Sequence, residues 1–343
     1  MSGEGPPTER PAASDAFQAL GSATRTTVLE SLTAEPKSFS TLHGATDEDT
    51  SAGFAYHLRQ LDGQFVRQRP DGDYDLTFAG RAAARSVRAG IYTESVDRER
   101  VPLGEDCPHC GGALAASVTD NVAEIRCEAC DERLLELPFP PSGYAERDTA
   151  GVPAALDAYH RRRIETFADG VCPDCGAPAT AAVELAAGRD DGRAVIDGAA
   201  PAEDDEPILA SFACETCGSG LRCPVALPVL DHPAVVAFYH DHGEDVRERP
   251  LWTVGAEWRE TVISRDPLCV AVSTRLDDDE LVLSVGRDGT VVDHRRTHHD
   301  DDDGASDPSV ARVPSDDLST DAIESDEFPR PDEGEMPADG ATA

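Results

Sequence analysis

The chain has 343 residues, enough for two or three domains, and carries 30 Lys+Arg against 67 Asp+Glu, a formal net charge of −37. Lys37 is its only lysine and the acids run along the whole length, a composition that suits molar salt, where the Debye length falls to about 3 Å and surface carboxylates repel one another little. No stretch approaches the roughly 18 apolar residues of a membrane span, and Met1 to Ala13 lacks the apolar core of a signal peptide. A cytoplasmic protein of a halophile is therefore expected, and its 10 cysteines point to metal sites rather than disulfides.

The expected fold class is α+β and multidomain. Residues 1–13 read as a disordered lead. Over 14–96 the pattern is that of a winged helix-turn-helix. Phe17, Leu20, Val28, Leu29 and Leu32 recur at helical spacing behind Ser14, and Ser38 to His43 form a second helix. Capping residues between Asp47 and Ser51 start a third, Ser51 to Leu61. Within it Phe54, Leu58 and Leu61 face the core, leaving Ser51, Ala55, Tyr56 and Arg59 on the outer face. Phe65 to Arg69 and Asp73 to Thr77 make two short strands around Pro70-Asp71-Gly72, a wing. Thr77 caps a last helix running to about Tyr92. Residues 63–90 hold five arginines (Arg67, Arg69, Arg81, Arg85, Arg88) against Asp71, Asp73 and Asp75, a net of +2. In so acidic a chain, that balance looks arranged for phosphates. Arg67 and Arg69 are placed for the DNA backbone or minor groove, and Ser51, Tyr56 and Arg59 for the major groove.

A charged joint, Thr93 to Asp106, is expected next. The first ribbon and its helix occupy 105–169. Cys107 and Cys110 are followed, sixteen residues on, by Cys127 and Cys130. This spacing lets two knuckles on hairpin turns bring four thiolates to one tetrahedral zinc ion. A Pro-rich joint (Leu137 to Pro141) separates it from a helix at 152–168. The second unit, 170–298, repeats the pattern with Cys172, Cys175, Cys214 and Cys217, now with 38 residues between the pairs. The acidic insertion Gly188 to Pro207 reads as a loop or long hairpin. Cys223 is a rival ligand or a buried thiol, and Cys269 reads as core. VPAALDAYH (Val152 to His160) and HPAVVAFYH (His232 to His240) match at a constant offset of 80, so the ribbon-plus-helix module is read as duplicated. Strand-like runs at 267–275, 280–285 and 289–294 close the unit as a short antiparallel β region. From 299 to 343 the acidic tail is too polar to bury a core and is expected to be disordered.

FQALGSATRTTVLESL, GFAYHLRQLDGQFVR and the wing with LTFAGR resemble the winged-helix domains of ArsR-type regulators. The match is closer to haloarchaeal relatives with an F-x-Y-H-L core and a following zinc-ribbon region. The resemblance implies a transcription regulator of a halophilic archaeon that binds double-stranded DNA as a homodimer. The dimer would form through the first and last helices, here Phe17, Leu20 and the Val87/Ile91/Tyr92 face. Ala55 stands where those relatives tend to carry a polar, base-reading residue, which implies modest base specificity. Residues 1–106 contain no cysteine, which argues against the metal sensing of some ArsR members.

Other classes fit less well. CPHC and CPDC resemble redox dithiols, but each runs into glycine rather than a helix. No H-E-x-x-H, G-x-S-x-G or phosphate-cradling lysine loop is present, so no enzyme is expected. The alternative from another class is a TFE-like factor, which docks on transcription-machinery proteins through a winged helix and a ribbon without reading an operator.

Overall fold

The computed structural model describes residues 12–185, 194–195, 208–254 and 257–299. The lead up to Pro11, most of the acidic insertion and the acidic tail from Asp300 lie outside the described residues.

The N-terminal stretch forms two helices rather than one, α1 (Ala13–Leu20) and α2 (Ala23–Ser31), parted at Gly21 and Ser22. Then come α3 (Phe39–Gly44), α4 (Ser51–Leu61), the hairpin β1 (Val66–Gln68) with β2 (Tyr74–Leu76), and α5 (Phe78–Arg88). Ser38, expected as the first residue of its helix, caps it instead by accepting from the Thr41 amide, and within the expected Asp47–Ser51 stretch Thr50 accepts from the Gly53 amide. Thr77 Oγ1 accepts from the Gly80 amide and donates to Gln64 O, so one side chain ends the wing and starts α5. Gly80 is required there, because a Cβ would stand 1.9 Å from Phe65 O. Helix α5 stops at Arg88, short of the expected Tyr92, where Gly90 takes φ +74° and turns the chain. Val28, Leu29, Leu42, Phe54, Leu58 and Leu61 are buried together in a core of their own. This α-helical unit with its hairpin has the layout of a winged helix.

The expected charged joint is instead largely a strand. β3 (Arg98–Asp106) pairs with β4 (Ala113–Thr119), followed by β5 (Val122–Cys127) and β6 (Arg133–Pro138). The Pro-rich joint likewise ends β6 and opens a short helix, α6 (Pro141–Ala145). The residues ahead of β3 are clamped, with the Val96 amide donating to Asn121 Oδ1 and the Asn121 amide to Val96 O. The second ribbon contributes β7 (Thr180–Leu185), β9 (Ile208–Ala213) and β10 (Gly220–Pro224), and the insertion contributes the two-residue β8 (Ala194–Val195). All eight strands form one sheet in the order β3-β4-β5-β6-β8-β10-β9-β7, in which β8 ties the two ribbons together.

Helix α7 (Val152–Ala168) sinks Leu156, Ile164 and Phe167 into the core, where Phe167 stacks on Phe212 of β9. Helix α8 (Pro233–Asp241) leads to a four-stranded antiparallel sheet of β11 (Trp258–Arg265), β12 (Leu268–Leu276), β13 (Asp279–Gly286) and β14 (Val291–His298). Strand β11 was not expected. The two matched helices are used differently. Tyr239 is buried and His240 exposed, whereas Tyr159 is exposed and His160 buried. Apolar residues from Cys107 to Val285 make one continuous core, distinct from that of the N-terminal unit. The fold is α+β.

Candidate metal centres and nucleic-acid face

Four knuckles share one local design. The amides of Cys107, Cys127, Cys172 and Cys214 donate to the carbonyls of Gly112, Glu132, Ala177 and Ser219. The amides of Gly111, Asp131, Gly176 and Gly218 donate back to the first cysteine's carbonyl. Those four residues all have φ between +61° and +77°, which glycine adopts freely and Asp131 adopts at some cost. The turn aims both sulfurs of a C-x-x-C pair to one side. In the first ribbon the knuckles are the β3–β4 and β5–β6 turns; in the second they precede β7 and join β9 to β10.

Cys107, Cys110, Cys127 and Cys130 thus form one group, and Cys172, Cys175, Cys214 and Cys217 another, with all four sulfurs of each within 4.8 Å of one another. Sulfur pairs stand 3.5 and 3.9 Å apart in the first and 3.6 Å apart in the second. Four thiolates held at about 2.3 Å around a tetrahedral ion stand about 3.8 Å apart, so both groups fit a metal. Within each pair the first cysteine is buried and the second exposed. Backbone amides prepare charge: the Cys130 amide pulls Cys127 down to about 6, and the Cys217 amide pulls Cys214 down to about 7. Although the Gly112 amide pulls the other way, the neighbouring thiols push Cys110 up to about 12. Four thiols this close cannot all ionise unless a cation offsets the charge. Cys223 is buried in β10 and belongs to neither group, and Cys269 is only half-buried, on the outward side of β12 rather than in the core.

The outward side of α4 carries Ser51, Tyr56 and Arg59, all exposed, with Ala55 half-buried beside them. Among the described residues Tyr56 is left 52% exposed. The charge around this face differs from the sequence expectation. Asp75 takes both Arg67 (3.3 Å) and Arg81 (3.0 Å), and Arg69 pairs with Asp71 at 3.6 Å. Burial works against ionisation of Asp75, but the Arg67 and Arg81 guanidiniums and the Leu76 amide hold its carboxyl below the usual range. Three acids lead into α4. Asp47 and Asp49 are exposed. Glu48 folds back over the first turn, accepting from the Thr50 hydroxyl, while its backbone carbonyl accepts from His43 Nε2. Gly53 makes room for it, since a Cβ there would collide with the Glu48 carboxylate. Counting charges along the chain gave the wing its surplus of arginine; pairing in space shows that Asp75 and Asp71 tie up Arg67, Arg81 and Arg69, so the surplus is carried by other arginines than the two expected to meet phosphates. Arg59 and Arg85 remain without an ion pair or hydrogen bond to another described residue.

Among the described residues no helix is long and apolar enough to cross a membrane. A family model described as a domain of unknown function (DUF7351) matches residues 104–291, and a second, also a domain of unknown function (DUF7347), matches residues 13–87. The first therefore spans both cysteine groups and the second the helical unit with its hairpin. Neither the curated proteins nor the solved structures contain a match to the chain.

Proposed function

The chain belongs to the DUF7351 family, and on that premise we propose that it is a DNA-binding transcription regulator of a halophilic archaeon. Its DUF7347 domain acts as the winged helix, and each cysteine group holds one structural zinc ion. The uncovered outward side of α4, with Tyr56 and Arg59 exposed beside a hairpin wing, carries this reading. Ser51, Ala55, Tyr56 and Arg59 meet base edges, while Arg67 and Arg69 steer on the backbone. In molar salt, phosphate contacts add little through counterion release. Paired wing arginines are then a small loss, and direct contacts from α4 count for more. Phe17 and Tyr92, 70% and 69% exposed, give a homodimer an apolar face to bury. All protein positions around each zinc are filled by thiolates, so the metals support binding and not catalysis. The chain works in the cytoplasm, where thiols stay reduced.

Arg59→Ala combined with Arg67→Ala tests the assignment. Binding to genomic fragments in molar KCl, followed by footprinting, should show a discrete protected site for the native chain and at least tenfold weaker binding for the variant. Equal affinity for both would remove α4 and the wing from the interface.

A second reading, a TFE-like factor docking on transcription proteins, is favoured by one set of observations. Glu48 sits over the start of α4, the wing arginines are paired, and Phe78 is 90% exposed at the start of α5. Protection of promoter DNA only when polymerase is present would select it.

A further inference from the structure

Several arginines outside the winged-helix unit engage no other side chain or carbonyl among the described residues. Arg259, Arg275, Arg287 and Arg295, like Arg59 and Arg85, make no ion pair or hydrogen bond through their side chains with another described residue. Three of them share one side of the four-stranded sheet. The core side is set by Trp258 and Val262 on β11, Val270 and Val272 on β12, and Leu281 and Leu283 on β13. Side chains alternate along a strand, so Arg259, Arg275 and Arg295 stand on the opposite side, and all three are exposed.

The pairing register orders that side. Arg259 lies opposite Ser273, Ser273 opposite Val282, and Val282 opposite Arg295, a single row across all four strands. The row puts an arginine on each edge strand, three strand spacings or roughly 14 Å apart at the backbone. Arg275 lies in the next row, opposite Glu280. Around them the side mixes hydroxyls (Thr261, Ser273, Ser284, Thr297) with the apolar Ala271, Val282 and exposed Ile263. None of the residues on this side belongs to the buried core: Thr261 and Thr297 are exposed, and Ser273, Val282 and Ser284 are half-buried. Its two acids lower the positive charge of this side without cancelling it, leaving the three guanidiniums against two carboxylates. Glu280 faces His299 Nε2 at 3.3 Å, and Asp293 Oδ1 accepts from the His294 amide at 2.9 Å.

A flat surface with outlying guanidiniums and hydroxyls between them suits the sugar-phosphate backbone of a duplex. Arginine side chains based 14 Å apart reach phosphates on both sides of a groove about 12 Å wide. We infer that the outward side of the β11–β14 sheet is a second DNA-backbone contact, in which Arg259, Arg275 and Arg295 grip phosphates without reading sequence. The inference rests on the proposed DNA-binding function and adds to it a surface outside the winged helix. An acidic peptide is the competing occupant, and the chain supplies one in Asp300 to Asp303, directly after β14.

Fluorescence anisotropy on a labelled duplex of mixed sequence, over the range of KCl in which near-ultraviolet circular dichroism shows the chain folded, tests the contact. The readout is the slope of log affinity against log salt, which changes by about 0.9 per phosphate contact. Arg259→Gln, Arg275→Gln and Arg295→Gln together should lower the slope's magnitude by about 2 to 3, with native zinc content and native dichroism. The same three positions changed to Lys should keep the native slope. Arg59→Ala with Arg67→Ala should still lose slope when combined with the sheet variant, because the two surfaces are separate. An unchanged slope in the Gln variant, while the native chain binds, overturns the inference and leaves the DNA reading standing. No duplex binding by the native chain overturns both. A rise in affinity on changing Asp300 to Asp303 to Asn is compatible with the contact only if the Gln variant also lowers the slope; a rise with no effect of the Gln changes assigns the face to the acidic segment and overturns the inference.

Discussion

Glu260 and His160 are ionisable groups set into the large core, and they pull stability in opposite directions as pH changes. Glu260, on the inner side of β11, accepts from the Ala226 amide at 2.8 Å, and burial pushes its carboxyl up to about 7. A carboxyl raised from 4.5 to about 7 contributes fully below pH 4.5 and loses that contribution as pH rises through 7, because the buried carboxylate must then exist. The loss is on the order of 3 kcal/mol. Glu260→Gln should therefore match the native chain below pH 4.5 and exceed its stability above pH 7 by about that amount. Denaturation in guanidinium at a series of pH values measures it, and a difference that does not change with pH would mean that Glu260 ionises without strain. His160 donates from Nε2 to Pro138 O at 3.0 Å, and burial, aided by the Arg163 guanidinium, pushes it down to about 4. It is neutral when folded, so its contribution is complete above pH 6.5 and is lost as pH falls through 4. Glu260 did not stand out in the sequence as titratable core. His160 was visible only through its match with His240, and the match misleads. The same nine-residue pattern lies on helices of different length and surroundings, so Tyr and His exchange the buried place. Repeats in sequence fix spacing; which side of a helix is buried depends on what packs there.

At the level of elements, the cysteine knuckles were the most legible feature because their geometry is local. A C-x-x-C pair followed by glycine carries its own turn, and both groups assemble as the spacing requires. Element caps such as Thr50 and Thr77 were legible for the same reason. Strand β3 was not. Val101, Leu103 and Glu105 point inward in alternation, but Pro102, Gly104 and the charges around them look like a linker. An edge strand tolerates Pro and Gly because one of its sides has no ladder to break, and β3 is the edge of the eight-stranded sheet. Strand β8 was also hidden, since two residues inside an acidic insertion give no periodicity. The knuckles lead to a prediction at this level. Elemental analysis should find two zinc ions per chain, a number set by the two groups. Cys107→Ser should leave one ion and selectively loosen β3 to β6, visible as faster amide exchange there than in β7, β9 and β10. Loss of both ions from this one change would show that the sites bind as a unit through β8. Structural zinc contributes roughly 10 kcal/mol or more to such domains, so strong chelators should unfold the eight-stranded sheet while the N-terminal unit, which has a separate core, keeps its helices.

Over the whole molecule, net charge decides the conditions under which these elements hold together. A chain of −37 repels itself, and the compact state concentrates that charge more than the unfolded one. In molar salt the repulsion reaches about 3 Å, within the length of a single ion pair; at 0.01 M salt it reaches about 30 Å and spans the molecule. Described arginines are mostly committed to acids or backbone carbonyls, as in Arg163 with Asp174, Arg249 with Glu244 and Glu257, and Arg296 with Asp241 and Asp279. These pairs are local, and such partly exposed pairs contribute little each, so they do not offset a repulsion summed over the surface. Hydrophobic burial weakens too on dilution when the salt is one excluded from apolar surface. Dilution from molar to roughly 0.01 M KCl should therefore expand the chain, seen as a larger radius of gyration in small-angle X-ray scattering and a loss of near-ultraviolet dichroism from the buried Trp252 and Trp258. With the proposed zinc ions in its two cysteine groups, the eight-stranded sheet should yield last, because thiolate sites do not depend on screening, so zinc should stay bound after the tryptophan signal has fallen. A chain that keeps its native radius and dichroism at low salt would show that its acids are spaced or paired well enough to need no screening, and the inference that it was shaped by molar salt would be wrong.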